Sequence, residues 1–200
     1  MLTLNNKANH IEWYNLIYFI NKTEKDGHLK ISLFATLSTF FVLRISETLS
    51  LKWKDILNKD QFILEESKNN RQDKNPKKRL ITINSDIQRK IKYVYEKWNR
   101  PNINQHIFLN NKGTKPVSRQ YINKRIKQLF YRYNISQQNL SSHSFRKSFC
   151  REYLRKYNYS NYAFEIIRDL LNHRDIYTVK TYLGIREEEI QSVYQSLRLP

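Results

Sequence analysis

SLFATLSTFFVLRISETLSLKW, residues 32–53, sets one arginine inside an otherwise apolar run. Leu29, Leu33, Leu37 and Phe40 recur at spacings of 4, 4 and 3, so a helix with one buried face is expected from residue 29. The most apolar stretch, Leu33 to Leu43, is too short to cross a bilayer and stops at Arg44. A guanidinium at the end of a buried stripe is costly unless it meets an anion. Glu47, three residues on, is one candidate partner, and an external anion is the other. After Ser46 a second short apolar helix is expected, ending near Trp53.

Outward from this segment, helical periodicity dominates. Residues 11–21 (IEWYNLIYFIN) read as a first helix, broken by Lys25–His28. On the far side the period changes. Residues 61–66 (QFILEE) and 79–84 (RLITIN) are rich in β-branched and aromatic residues, and SKNNRQDKNPKK between them is polar and turn-rich. That pattern predicts a β-hairpin with a long basic tip. A helix is expected at 86–98, a loop at 99–105, a short strand at 106–109 and a turn around Gly113. From Ser118 a helix carries Ile122, Ile126, Leu129 and Tyr133 on one stripe, with Arg119, Lys124, Arg125, Lys127 and Arg132 on its other faces. Helices are also expected at 143–156, 161–172 and 186–197, the last with Ile190, Val193, Tyr194 and Leu197 along one side. The fold class is therefore α+β, mainly α-helical with a small antiparallel hairpin. No repeat or linker divides the chain, so residues 1–200 are expected to form one domain.

Charge points to the partner. There are 36 Lys and Arg against 18 Asp and Glu, a formal net charge of +18, spread along the chain rather than gathered in a tail. Such an excess on a folded surface favours a polyanion, and nucleic acid above an anionic membrane. The single cysteine, Cys150, excludes an internal disulfide and fits a reducing cytoplasm. The N-terminus lacks a signal-peptide pattern. The five histidines form no His-x-x-x-His pair, and no carboxylate cluster, glycine-rich phosphate loop or Gly-x-Ser-x-Gly elbow occurs. Neither a metal nor a nucleotide cofactor is expected.

What remains is a set of cations and histidines in apolar helices. His143 and Arg146 lie one helical turn apart in SSHSFRKSF (141–149), and His173, Tyr177 and Tyr182 lie in LLNHRDIYTVKTYLG (170–184). Cleaving a phosphodiester without metal needs guanidiniums on the non-bridging oxygens, a nucleophile, a base for its proton and an acid for the leaving oxygen. A phenol, with an ordinary pKa near 10, needs nearby cations to attack as phenolate.

In that order the motifs resemble the catalytic domain of the tyrosine recombinases, the phage integrase family. LRISETLSLKWKDI (43–56) resembles its first arginine block, HSFR (143–146) its His-x-x-Arg, and LNHRDIYTVKTYLG (171–184) its closing histidine and tyrosine block, with the basic hairpin between the first two. The resemblance implies that Arg44 and Arg146 clamp the scissile phosphate and that Glu47 supports the site. It implies that His143 assists proton transfer, that His173 hydrogen-bonds a phosphate oxygen, and that Tyr182 attacks phosphorus to form a 3′-phosphotyrosyl link. Tyr177 is then a packing or DNA-contact residue. The family's hairpin lysine falls best on Lys68, with Lys74, Lys77 and Lys78 as alternatives, because the tip is longer than the family's tight turn. Arg119, Lys124, Arg125, Lys127 and Lys147 are expected to contact DNA.

The expected activity is site-specific strand exchange on double-stranded DNA by a homo-oligomer, without metal or ATP. A type IB topoisomerase-like nicking and closing enzyme, or a non-catalytic DNA-binding relative, would share the motifs or the charge. Two departures stand out: Val42 and Asn172 occupy positions where the family often has glycine. Residues 1–28 are too few for the family's N-terminal core-binding domain, so either a weaker grip on DNA or an accessory DNA-binding protein supplying that half of the clamp is expected.

Overall fold

The computed structural model describes residues 8–65 and 78–196. Within them lie α1 (Trp13–Lys25), α2 (Leu29–Phe40), α3 (Ile45–Ser50), α4 (Trp53–Ile56), β1 (Gln61–Glu65) and β2 (Lys78–Thr82). These are followed by α5 (Ser85–Lys97), α6 (Arg119–Arg132), α7 (Ser142–Lys156), α8 (Asn161–Leu171), α9 (Ile176–Leu183) and α10 (Ile185–Ser196). The strands pair antiparallel, with Ile63 opposite Leu80 and Glu65 opposite Lys78. The class is the α+β arrangement expected from the sequence, with helices in the majority. Among the described residues, no helix is long and apolar enough to cross a membrane.

Three expectations need correction. α2 is not a one-faced helix: Ile31 through Thr39 are all buried. Its neighbours α1, α3, α5, α6 and α7 surround it, so Ser32, Thr36 and Ser38 are inside as well. The serine and threonine hydroxyls stay inside by bonding locally, as Thr36 does to the Ser32 carbonyl at 2.9 Å. The strand at 106–109 does not form. His106 and Leu109 make only isolated bridges, to Lys52 and Pro116, because successive backbone groups there bond to different segments. Finally, residues 176–183, left unassigned by periodicity, form α9. It is only two turns long, capped by the Asp175 carboxylate on the Thr178 N–H at 2.7 Å.

The core divides in two. A large cluster gathers Leu16, Phe19, Phe34, Trp53, Ile91, Ile126 and Phe145 from the first seven helices and the hairpin. A smaller one packs Cys150, Leu154, Phe164, Ile167, Leu171, Val179 and Leu183, and Val42 belongs to it. α7 runs through both, contributing Phe145 to one and Cys150 and Leu154 to the other. Arg146 therefore sits on the seam between the two cores, and Leu43 and Val42 meet the same seam from α2.

Helix ends in this chain are built with few glycines. Beyond α2, Val42 takes a left-handed backbone (φ 54) while its N–H reaches the Thr39 carbonyl and that of Leu43 reaches Ser38, both at 3.2 Å. Beyond α8, Asn172 does the same (φ 53), its N–H bonding Asp169 and that of His173 bonding Arg168. Both are Schellman caps. Asparagine tolerates this conformation, but a β-branched residue there carries about 1–3 kcal/mol of strain. Val42 holds it because its side chain is buried in the smaller core. The two positions where the sequence departs from glycine are thus the two turns that deliver Arg44 and His173. Replacing Asn172 by alanine should cost about 1 kcal/mol, roughly 2–4 °C in Tm for a domain of this size. Glycine there should cost less than alanine, as thermal unfolding of the two variants will show.

Candidate active site

Arg44 leaves the Val42 turn as the N-cap of α3, and Glu47 fastens it there. The Glu47 carboxylate accepts from the Arg44 N–H at 2.7 Å and from its guanidinium at 2.9 Å. Glu47 is 3% exposed, so this is a shielded pair that aims the arginine. The intramolecular anion expected for Arg44 is present, and it holds one edge of the guanidinium.

Arg146, also 3% exposed, projects from α7 and donates to the Leu171 carbonyl at the end of α8 (3.1 Å). Burial pulls its pKa below the usual arginine range, and Arg44 adds to this; a nearby anion opposes it. An anion bound at the seam would offset that cost. Below it, burial pushes the Cys150 thiol up to about 12, so the cysteine is neutral packing.

His143, on the first turn of α7, lies at the mouth of a cavity of about 810 Å³ that Lys147, His173, Thr181 and Tyr182 also line. Partial desolvation, then the charges of Arg146, Lys147 and Arg44, lower the His143 pKa, leaving a neutral imidazole able to accept a proton. His173 is lowered further, to about 4, by burial and then by Arg146 and Arg44. Its Nδ1 is buried without a hydrogen-bond partner among the described residues. Tyr182, on α9, meets the His173 ring edge-on, with centroids 5.2 Å apart and planes at 88°. Its hydroxyl is buried without a hydrogen-bond partner among the described residues, and burial raises the phenol to about 12 against the opposing pull of Arg146 and Arg44.

The structure thus brings Arg44, Glu47, His143, Arg146, His173 and Tyr182 to one place. Tyr177 is exposed on the cavity wall rather than packed in a core. Arg119, Lys124 and Lys127 are exposed on α6 and Arg125 is half-buried; Lys127 reaches the cavity. Lys147 is 5% exposed, lines the cavity and holds its ammonium over the Tyr182 ring. Lys68, Lys74 and Lys77 lie outside the described residues, and Lys78 pairs with Glu65 at 3.5 Å at the loop end of the two strands. No group of three or more His, Cys, Asp or Glu residues able to hold a metal occurs among the described residues.

Sequence reasoning missed Arg79. From β2 it donates to the Leu170 carbonyl at 2.8 Å and to the Phe41 carbonyl at 3.1 Å, tying together the ends of the two helices that carry Arg44 and His173. Its position two residues before buried Ile81, on the same strand face, was the available signal.

This is a helical domain with a small β-hairpin that gathers two arginines, two histidines with lowered pKa values and a half-buried tyrosine whose hydroxyl is shielded. The phage integrase family model matches residues 11–189, and the chain belongs to that family. It is 29% identical over 178 residues to the probable integrase/recombinase YoeC of Bacillus subtilis, covering 89% of this chain and 87% of that protein. The tyrosine recombinase XerD of Staphylococcus saprophyticus is 27% identical over 157 residues, covering 76% of this chain and 49% of that one. Among solved structures, the XerH recombinase bound to a palindromic difH substrate in a post-cleavage complex superposes with a TM-score of 0.66 at 20% identity. It covers 98% of this chain and 56% of its own. The Tn1549 transposon integrase in complex with transposon right end DNA gives 0.68 at 17% identity, over 96% of this chain and 68% of its own. The chain therefore spans only about half the length of XerD and XerH, and its fold is that of tyrosine recombinase catalytic domains.

Two outcomes follow from the geometry. Arg79→Ala should cost about 1–3 kcal/mol by leaving two helix-end carbonyls short of a charged donor, seen as a lower urea midpoint; Arg79→Lys, which lacks the fork, should recover only part. For His173, the folded pKa (about 4) lies below the unfolded value (about 6.5), so the unfolded chain binds the proton first. Its stabilising contribution is complete above pH 6.5 and is lost as pH falls towards 4. His173→Gln should flatten the stability profile across that interval, and an unchanged profile would refute the assignment.

Proposed function

We propose that this protein cuts and rejoins double-stranded DNA at specific sites through a covalent 3′-phosphotyrosyl intermediate. The observation that carries the reading is the buried hydroxyl of Tyr182 within the field of Arg146 and Arg44, beside two imidazoles held neutral. A scissile phosphate entering this field would receive the guanidiniums on its non-bridging oxygens. The Tyr182 oxygen–phosphorus bond forms while the bond from phosphorus to the 5′-oxygen breaks. The phenol proton passes to neutral His143, and the departing oxygen takes a proton from a general acid, the role of the hairpin lysine, for which Lys68 is our choice. His173 donates to a non-bridging oxygen. The phosphodiester energy is kept in the new link, so rejoining is the reverse attack by a 5′-hydroxyl.

The net charge of +18 and the exposed cations of α6 supply the grip on the duplex. Strand exchange needs two sites and several protomers. The exposed Ile190, Val193 and Tyr194 side of α10, which follows the nucleophile directly, is the surface we assign to contacts between them. We place the protein on DNA in the cytoplasm, with an accessory DNA-binding protein closing the other face of the duplex.

A nicked suicide duplex carrying the target site tests the chemistry. The wild type should accumulate a covalent protein–DNA band, and Tyr182→Phe should abolish it while retaining DNA binding. Arg146→Ala should lower the rate by at least about 10²-fold, the scale seen when one preorganised charge-stabilising donor is removed. A band that persists in Tyr182→Phe would refute the nucleophile.

A further inference from the structure

Lys147 follows Arg146 in the chain but points elsewhere. His143, Lys147 and Arg151 recur at intervals of four along α7, and so form one stripe on that helix. The stripe faces α9. Arg151 donates to the Leu183 carbonyl at 3.1 Å and to the Glu188 carboxylate at 2.8 Å, fastening the end of α9. One turn earlier, the Lys147 ammonium lies 4.8 Å from the centre of the Tyr182 ring. Lys147 is 5% exposed, and the cavity it lines holds the catalytic histidines.

An ammonium held over an aromatic face is attracted to the ring quadrupole, and more strongly when its surroundings are dry. The attraction grows when the ring is a phenolate, because the negative charge is delocalised into it. A cation in this place therefore favours ionisation of the phenol on which it rests. The reaction proposed above needs that ionisation, and burial opposes it.

Other charged groups face Tyr182 as well. From α7 come Arg146 and the neutral Cys150 and His143; from the start of α3 comes Arg44 with its partner Glu47. The α8–α9 turn brings His173 and Arg174, and α6 brings Lys127 to the cavity wall. Arg44 and Arg146 are to be occupied by phosphate oxygens during attack, which spends their positive field on the substrate. Lys147 has its ammonium over the Tyr182 ring, where its charge acts on the phenol directly.

We propose that Lys147 is a positioning residue that holds the Tyr182 ring and lowers the pH at which its phenol becomes phenolate. This deepens the recombinase reading and rests on it. The proton itself still goes to His143; Lys147 stays an ammonium throughout.

The experiment has two arms. In the first, 3-fluorotyrosine, whose phenol is more acidic, is placed at position 182 of the full chain, and its ionisation is followed by fluorine NMR without DNA. Lys147→Met should raise the midpoint by about one pH unit, and Lys147→Arg should restore it. An unchanged midpoint overturns the proposal whether or not the protein cleaves DNA. In the second arm, covalent-complex formation on the suicide duplex is measured against pH. Lys147→Met should react about tenfold more slowly at neutral pH and approach the wild type in alkali, with Lys147→Arg close to wild type. A uniform loss at every pH would make Lys147 merely structural. An unshifted profile, together with a salt slope of binding reduced by about one, would make it a DNA phosphate contact. Either result overturns the proposal. A wild type that forms no covalent complex, alongside a shifted fluorine midpoint, would instead count against the recombinase reading alone.

Discussion

The burial of the Arg146 guanidinium between two apolar cores is the constraint on which the rest of the site depends. A charge taken out of water must be matched locally. One match is structural, the Leu171 carbonyl at the end of α8. Such a carbonyl lacks an intrahelical partner and carries part of the negative end of the helix dipole, so it is a good acceptor for a cation. On the reading we propose, the other match is left to the substrate. The same economy governs Arg44, whose guanidinium is held along one edge by Glu47. Each arginine is oriented by one anionic or dipolar partner inside the protein, which prepays the ordering that phosphate binding would otherwise require.

That constraint explains where the histidines and the tyrosine sit. Burial first, and these cations second, keep His143 and His173 from protonating, while the two arginines pull the Tyr182 phenol down against its burial. A cationic pocket thus sets opposite groups to the same end: bases are held neutral and ready to accept or donate once, while an acid is readied to ionise. Burial nevertheless leaves the Tyr182 phenol raised to about 12, so on the proposed reading its ionisation needs further help. The balance is electrostatic, and it needs rigid geometry. Arg79 and the Schellman caps at Val42 and Asn172 supply this by locking the ends of α2 and α8 to the hairpin.

Much of this was legible in the residues, for identifiable reasons. Reactive groups announce themselves where they break a pattern: Arg44 ends an apolar run, and Arg146 falls between Phe145 and Cys150, both core positions. Helices with a polar face, such as α5 and α6, were found from period alone. Three things were not legible. Central α2 has no polar face to mark it, so its burial on every side reads as an ordinary stripe. α9 is too short for periodicity, and its cap and tertiary contacts make it a helix. Lys147 reads as a DNA-facing cation and Arg79 draws no reading at all, because the direction of a long side chain depends on what its helix or strand is packed against, which a linear pattern does not contain. Val42 and Asn172 in place of glycine were visible, but the outcome was not: both adopt the left-handed backbone, Val42 with strain that its burial in the smaller core offsets.

The inward turn of Lys147 changes how the basic charge of this chain should be divided. Part of the +18 is an outer layer, on α6 among other places, that a polyanion can reach through solvent and that salt will screen. Arg146 and Lys147 form an inner layer, each at most 5% exposed. Ions reach the inner layer poorly, so its influence on the site persists at ionic strengths where the outer grip is lost. On the proposed reading, binding and chemistry are then controlled by different cations of one sequence. The distinction arises from a single helix, α7, whose register sends Arg146 to the seam and its neighbour Lys147 to the tyrosine.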